Sequence, residues 1–178
     1  MSIAWARVSA PAPLRELTVG VTGDGVVCVS FHEGDQALAR AARRTGRVLV
    51  EDRALTASAV EQLAAYLDGS RQDFDVPLDW SLTSGATRQV LQALYAEVGY
   101  GRTTTYGELA RTSGAFGGAD GVLGARAVGT IMGANPIPVI VACHRVLAAN
   151  GLGGFGGGLP AKRWLLELEG SLPPPLDL

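Results

Sequence analysis

The stretch TYGELARTSGAFGGADGVLGARAVGTIM, residues 105–132, predicts two short helices joined by a glycine-rich loop. Thr105 and Glu108 have the spacing of a capping box, in which each side chain accepts a hydrogen bond from the other residue's backbone N–H. The loop spans residues 113–121, and the apolar spacing predicts a second helix over residues 123–132. Two short helices joined in this way are typical of a helix-turn-helix, although many helical hairpins bind no nucleic acid.

The chain after this pair of helices predicts a stop, a strand and a last helix. The prolines of Asn-Pro-Ile-Pro, residues 135–138, end the second helix because proline cannot continue it. The apolar run at residues 139–141 predicts a buried strand that leads to Cys143. A last helix is expected over residues 161–169, since Pro160 lies near its start and a glycine follows its end.

The first half of the chain predicts a small α/β scaffold that supports the second half. Runs of β-branched residues indicate strands, and apolar residues at helical spacing indicate helices. The expected strands are residues 17–21, 26–31, 47–50 and 74–80, and the expected helices are residues 36–44, 56–67 and 86–98. The predicted fold class is therefore α/β, with a mainly helical C-terminal part.

Composition limits the classes of protein to which this chain can belong. Its 178 residues, 47% of them hydrophobic, suffice for one large domain or two small ones. The net charge is −2, so any nucleic-acid site must be local. No apolar run approaches the ~18 residues that a membrane helix requires, and neither a signal peptide nor a disulfide scaffold is indicated. We therefore expect an intracellular, cytoplasmic protein with reduced thiols.

Cys143 and His144 are the residues best suited to chemistry. A cysteine after an apolar run is by itself more often a buried core residue, but the histidine beside it can take the thiol proton and leave a nucleophilic thiolate. Neighbouring side chains of an extended chain point to opposite faces, so either the chain turns here or a water bridges the two groups. Glu167 and Glu169 are candidates to orient the imidazole through its other nitrogen.

A metal centre is not indicated by the sequence. The cysteines and histidines number four in all, and nothing in their spacing gathers a tetrahedral set. We expect neither a metal nor another cofactor, and we expect Cys28 to be a core residue.

Several motifs together resemble the signature of the O6-alkylguanine-DNA alkyltransferases, also called methylated-DNA–protein-cysteine methyltransferases. They are Tyr106-Gly107-Glu108-Leu109-Ala110, Arg126-Ala127-Val128-Gly129, Asn135-Pro136-Ile137-Pro138, Cys143-His144-Arg145-Val146, the glycine-rich residues 153–158, and Trp164-Leu165-Leu166 through Glu169-Gly170. The resemblance covers residues 85–170 and implies a DNA-binding and alkyl-acceptor domain with a winged helix-turn-helix there. It also implies a ribonuclease H-like α/β domain at residues 1–80, whereas residues 171–178 form a proline-rich tail.

The resemblance implies DNA repair by direct reversal of damage, without a cofactor. Duplex DNA that contains O6-alkylguanine, and also O4-alkylthymine, would be bound through the minor groove, with the damaged base flipped out of the stack. Cys143 would accept the alkyl group as a permanent thioether, so each molecule would act once. His144 would be the base, acting through a water, and Glu169 would orient it. Asn135 would hold the active-site turn, and the phenol of Tyr106 would donate to the guanine.

The DNA-binding and base-pocket residues are carried over in the same way. Arg126 would fill the gap that the flipped base leaves, although without the motif it would be an ordinary exposed helix arginine. The other residues expected at the DNA are Thr105, Tyr106, Ala125, Ala127 and Gly129. The residues expected around the base are Met132, Val146, Phe155 and Gly156. Arg145 is expected to form a structural salt bridge. We expect a monomer that associates with the nucleoid when it binds DNA, and cooperative binding stays open.

Two features depart from the family's pattern. The residue before the cysteine is usually proline and here is Ala142, which is expected to loosen the turn and slow the reaction. The loop at residues 113–121 is several residues longer than usual, and we expect it to be mobile.

Three other functions compete with this reading. A lesion-binding relative would lack the acceptor cysteine, which is present here. A thiol hydrolase with a Cys-His-Glu triad would turn over repeatedly, whereas a transferase would stop after one equivalent. A plain DNA-binding regulator would need neither Cys143 nor Glu169.

Overall fold

The computed structural model describes residues 1–31, 34–117 and 121–173 of the chain. The first half contains a four-stranded sheet made of β1 (Ser2–Ser9), β2 (Glu16–Thr22), β3 (Gly25–Phe31) and β4 (Val48–Glu51). The spatial order is β3-β2-β1-β4, and the neighbours run antiparallel except β1 and β4, which are parallel. Helix α1 (Gly34–Thr45) lies between β3 and β4 in the chain, and α2 (Arg53–Leu67) follows β4.

Helices cover both faces of this sheet because its strands are apolar on both sides. Along β1, Ile3 packs in a small cluster with residues of α1, whereas Val8 belongs to the main core together with residues of α2. This division follows from the alternation of side chains along a strand. Gly20 of β2 permits the close packing on the α1 side, since a Cβ atom there would lie 2.7 Å from Sγ of Cys28. Cys28 is accordingly a core residue.

The second half is helical, with α3 (Gly85–Glu97), α4 (Tyr106–Thr112), α5 (Gly121–Gly133) and α6 (Leu159–Leu168). The predicted capping box opens α4: the N–H of Glu108 donates to Oγ1 of Thr105 over 3.2 Å, and the N–H of Thr105 donates to the Glu108 carboxylate over 3.0 Å. Helices α4 and α5 pack closely, with Gly124 against Ala110. Strands β5 (Thr104–Thr105) and β6 (Val146–Leu147) form a two-stranded parallel sheet beside them.

The strand predicted at residues 74–80 is wrong. Leu78 forms only an isolated bridge with Val26, and the chain then enters a 3-10 helix over Trp80–Leu82, capped by Asp79. Pro77 explains the difference, because proline cannot donate to a strand ladder. Strand β1, in contrast, was not predicted from the sequence. Its alanines and arginine have weak strand propensity, and its place between two partner strands decides its conformation.

Some predictions lie outside the described residues. The loop that was predicted to be mobile includes residues 118–120, and the predicted tail includes residues 174–178, which lie outside the described part of the chain. The division into domains at residues 1–80 and 85–170 stays a prediction, and the main hydrophobic core joins residues of both parts. Among the described residues, no helix has the length and apolar character needed to cross a membrane.

Candidate active site

Cys143 follows a tight turn rather than a strand. The N–H of Val141 donates to the carbonyl of Ile137 over 2.9 Å, so the apolar run at residues 139–141 closes on itself. Asn135 fastens this turn, because its Nδ2 donates to the Val141 carbonyl over 2.8 Å and its Oδ1 accepts from the N–H of Ile137 over 3.0 Å. The predicted strand is therefore wrong: the preceding prolines remove ladder donors, and the side chain of Asn135 satisfies the backbone instead.

The chain turns again at the cysteine, as a 3-10 helix over Cys143–Arg145. Of the two arrangements left open by the sequence, a turn is thus present. Cys143 is buried, and burial raises the pKa of its thiol. The hydrogen bond from Asn135 and the positive charge of Lys162 act in the opposite direction without cancelling this effect. The thiol is therefore protonated at neutral pH, and it needs a base to become a nucleophile.

His144 is fully buried and is bound by Glu169, with 2.7 Å between Nε2 and Oε1. Burial lowers the pKa of His144 and outweighs the raising effect of Glu169, so the imidazole is neutral. Burial would raise the pKa of Glu169, but the hydrogen bonds from His144 and Arg145 and the positive charge of Arg145 lower it to about 2. The ionised carboxylate accepts from Nε2–H, which leaves the lone pair on Nδ1. Of the two candidate partners, Glu169 is the one used, and Glu167 pairs with Arg163.

Arg145 forms the salt bridge that was expected of it. Its Nε and one terminal nitrogen donate to the Glu169 carboxylate over 2.9 and 3.0 Å, and its other terminal nitrogen donates to the carbonyl of Val98 over 2.6 Å. Tyr66 of α2 also donates to Oε1 of Glu169. Sequence reasoning missed Tyr66, because no local pattern connects it with a residue 103 positions later.

Lys162 is a second buried residue that sequence reasoning did not place in the site. It is the sole lysine of the chain and is fully buried. Its Nζ donates to the carbonyls of Val146 and Gly154 over 2.7 and 3.1 Å. Burial lowers its pKa to about 8, and Cys143 in its thiolate form partly opposes this shift. The sequence held one signal of this role: Lys162 is the only lysine among 15 basic residues, and the others are arginines.

Tyr106 lies at the start of α4, against the glycine-rich loop. Gly153 has φ of 73°, and a Cβ atom there would lie 2.5 Å from Oη of Tyr106, so only glycine leaves room for the phenol. Burial raises the pKa of Tyr106, while the N–H of Gly154 lowers it. The phenol is thus protonated at neutral pH and can donate.

A cleft of about 490 Å³ reaches Cys143 from the surface. Met132, Asn135, Phe155 and Gly156 line it, so the structure brings most of the predicted base pocket to the cysteine. Val146 does not line this cleft; it is fully buried, and its carbonyl accepts from Lys162. Within residues 1–31, 34–117 and 121–173, no three metal-ligating side chains are grouped as a metal site requires.

Helix α5 presents Arg126 to solvent as its one charged side chain. Val128 and Gly124 are buried beneath it, and the small residues Ala125, Ala127 and Gly129 are partly exposed. The surface of this helix around Arg126 therefore consists of small side chains and carries a single charge, the guanidinium group. Thr105, the N-cap residue of α4, is partly exposed.

Two protein-family models match the chain. The ribonuclease-like domain of 6-O-methylguanine DNA methyltransferase matches residues 9–80. The DNA binding domain of 6-O-methylguanine DNA methyltransferase matches residues 86–171.

Curated relatives carry the name methylated-DNA–protein-cysteine methyltransferase. The one from Methanosarcina acetivorans is 36% identical over 161 residues, which span 90% of this chain and 95% of the relative. The one from Mycobacterium tuberculosis is 50% identical over 117 residues, which span 65% of this chain and 66% of the relative. The chain thus matches slightly less than two thirds of the mycobacterial protein's length at this level of identity.

Solved structures show the same similarity over nearly the whole chain. The crystal structure of Mycobacterium tuberculosis OGT in complex with DNA has a TM-score of 0.74 at 36% identity, covering 94% of this chain and 93% of that one. The structure of Mycobacterium tuberculosis O6-methylguanine methyltransferase has a TM-score of 0.73 at 35% identity, covering 98% and 96%.

A ribonuclease-like α/β half, a helical DNA-binding half and a buried cysteine beside a histidine together define a class of DNA repair methyltransferases that use cysteine. The chain belongs to the methylated-DNA–protein-cysteine methyltransferase family. The resemblance seen in the sequence is therefore confirmed, as is the predicted α/β fold with its helical C-terminal part.

Proposed function

We propose that the chain repairs DNA in one step, by moving an alkyl group from O6 of guanine to Sγ of Cys143. The observation that supports this best is the buried series of contacts that joins the cysteine turn, His144 and Glu169 at the inner end of a cleft. The carboxylate orients the histidine, and the histidine neighbours Cys143, which lines the cleft together with Met132, Phe155 and Gly156.

His144 acts as the base through Nδ1. This nitrogen is buried and makes no hydrogen bond within the part of the chain that the structure describes. Because Glu169 accepts from Nε2–H, the free lone pair lies on Nδ1, which takes the proton of the Cys143 thiol through a bridging water. The carboxylate then stabilises the imidazolium that forms. The low pKa of Glu169 keeps it ionised for this task.

The thiolate attacks the alkyl carbon from the side opposite O6. The carbon–sulfur bond forms as the carbon–oxygen bond breaks, and the electron pair passes to guanine O6. Tyr106 donates to the leaving guanine, and the N–H of Gly156 is directed to O6. The product thioether has no carbonyl that water could attack, so the protein is consumed by one reaction. No cofactor enters any step.

DNA binding relies on shape and on Arg126 more than on net charge. Helix α5 enters the minor groove, where its small residues permit a close approach, and Arg126 occupies the space of the flipped nucleotide. Met132 and Phe155 pack on the flipped base, and the second lone pair of the Val146 carbonyl accepts from its exocyclic amine. The same pocket would take O4-alkylthymine. We expect a monomer that acts in the cytoplasm on nucleoid DNA.

Mass spectrometry of the protein mixed with duplex DNA containing O6-methylguanine tests this proposal. We expect one added methyl group, located in the peptide that contains Cys143, with the DNA restored to guanine in equal amount. Cys28→Ser is the matched control and retains transfer, because burial raises the pKa of that thiol to about 12. Cys143→Ser loses transfer and keeps DNA binding.

Three results would contradict the proposal. Methylation of Cys28 would place the acceptor elsewhere. Release of more than one equivalent of methyl group would indicate a hydrolase. Binding of the lesion without transfer, with Cys143 unmodified, would indicate a lesion-binding protein.

A further inference from the structure

The cleft that reaches Cys143 extends beyond the predicted base pocket to the N-terminal half. Helix α1 forms its outer wall with Gln36, Arg40 and Arg44, which follow one another at i, i+4 spacing and so share one face. The volume of about 490 Å³ is in the range of sites that hold drug-sized ligands. A base with a methyl group therefore leaves part of this cleft unfilled, on the side of α1.

The charge of this outer wall is positive, and none of the residues that the structure describes compensates it. Arg40 is exposed and makes no hydrogen bond or ion pair to any residue that the structure describes. Arg44 donates to the carbonyl of Leu82 over 2.7 Å, which holds its guanidinium in place without neutralising it. No Asp or Glu lines the cleft among the described residues. Asp35 of α1 instead lies 3.6 Å from Arg7.

We infer that this cleft favours O6-alkyl substituents that end in a carboxylate, with Arg40 as the residue that binds the negative charge. The inference rests on the proposed function, since the alkyl group must be attached to the base that Cys143 attacks. A guanidinium group binds a carboxylate through paired N–H donors, and it does so most effectively where no competing acid is present. Arg40 is thus a specificity-determining residue on the α1 wall of the cleft.

The chemistry of transfer is unchanged for such a substituent. For O6-carboxymethylguanine, the thiolate of Cys143 attacks the methylene carbon, the bond from that carbon to O6 breaks, and guanine leaves with the electron pair and is protonated. The product is S-carboxymethylcysteine, with its carboxylate still free to contact Arg40. No additional reactant is required.

Single-turnover rates on two matched duplexes test the inference. One duplex contains O6-carboxymethylguanine and the other contains O6-carbamoylmethylguanine, which has nearly the same size and no charge. We expect the ratio of the two rates to fall roughly three- to tenfold in Arg40→Gln, which is less than a buried charge-assisted hydrogen bond supplies because Arg40 is exposed and its charge is screened. Arg43→Gln is the matched control, because Arg43 is also exposed on α1 but does not line the cleft. Its ratio should equal that of the unchanged protein.

Charge reversal gives a second arm. Arg40→Glu should further lower the rate of transfer from O6-carboxymethylguanine and raise the relative rate on O6-(2-aminoethyl)guanine, because it replaces a positive charge on the cleft wall with a negative one. An unchanged ratio in both variants overturns the inference. Equal slowing on all of these duplexes also overturns it, since Arg40 would then contact the DNA backbone. Failure on O6-methylguanine as well would instead reject the proposed function, whereas repair of O6-methylguanine without repair of the carboxymethyl lesion would reject the inference alone.

Discussion

Tyr66 of α2 donates a hydrogen bond to Glu169, the carboxylate that binds His144. The phenolic oxygen also lies 3.4 Å from Nε2 of His144. Through this contact the N-terminal half of the chain helps to hold the carboxylate that binds His144. Tyr66 is thus a positioning residue that acts through Glu169.

Tyr66→Phe should weaken both the fold and the reaction. The ring would keep its packing on Phe74, 5.1 Å away between centroids, but the carboxylate would lose one donor. We expect the free energy of unfolding to fall by about 1.5–3 kcal/mol, the range for a hydrogen bond to a charged group. Urea unfolding measures this change. The pH profile of the transfer rate should also shift, since the imidazole is held less firmly. Tyr95→Phe, at an exposed tyrosine, is the control and should change neither quantity.

Glu169→Gln should change how stability depends on acidity. The pKa of Glu169 is about 2 in the folded protein against an ordinary value of 4.5, so its ionisation stabilises the fold above that ordinary value. This contribution, about 3 kcal/mol, is lost as pH falls from about 4.5 towards 2. The stability difference between the unchanged protein and Glu169→Gln should therefore shrink across this window, as measured by urea unfolding at several pH values. A constant difference would contradict the assigned ionisation.

Lys162→Met should make Cys143 less reactive. The substitution removes a positive charge that favours the thiolate and releases the carbonyls of Val146 and Gly154. We expect the pH midpoint for alkylation of Cys143 by iodoacetamide to move upward and transfer to slow. The peptide that contains Cys28 provides the internal control and should stay unmodified. An unchanged midpoint would restrict Lys162 to a purely packing role.

Ala142→Pro should be accepted by the active-site turn. The sequence predicted that alanine loosens this turn, yet Ala142 has φ of −76°, within the range of proline, and its N–H makes no hydrogen bond among the described residues. We expect a gain of about 0.4–1 kcal/mol in the free energy of unfolding, because proline restricts the unfolded chain. Ala134→Pro is the contrasting control, since its N–H donates to Thr130 and Ile131. It should destabilise the fold, and similar effects from both substitutions would contradict this account.

Arg126→Ala should separate DNA recognition from chemistry. Repair of duplex DNA should slow at least roughly tenfold, as expected when a group that compensates an unstacked base is lost, whereas transfer from free O6-benzylguanine should be unaffected. Arg163→Ala removes an exposed arginine of α6 and should leave both rates unchanged. Equal losses on the two substrates would show that Arg126 supports the fold of the site instead.

Local sequence predicted those elements whose conformation depends on neighbouring residues. The capping box of Thr105 and Glu108 and the proline and glycine limits of α6 were found where the pattern indicated. The apolar runs at residues 74–80 and 139–141 were misread as strands, since burial and strand formation leave the same apolar signal. Proline residues within or just before these runs prevent strand pairing, and the hydrogen bonds of the Asn135 side chain stabilise the turn at residues 139–141.

By itself, the sequence determined the α/β class, the family and the choice of Cys143 as the candidate nucleophile, because these depend on residue types at short and regular spacings. Tertiary structure alone decided that Tyr66 and Lys162 reach the site and that α1 forms a wall of the cleft. These contacts join residues far apart in the chain. Burial then sets their chemistry, since the same histidine and carboxylate would titrate normally in water.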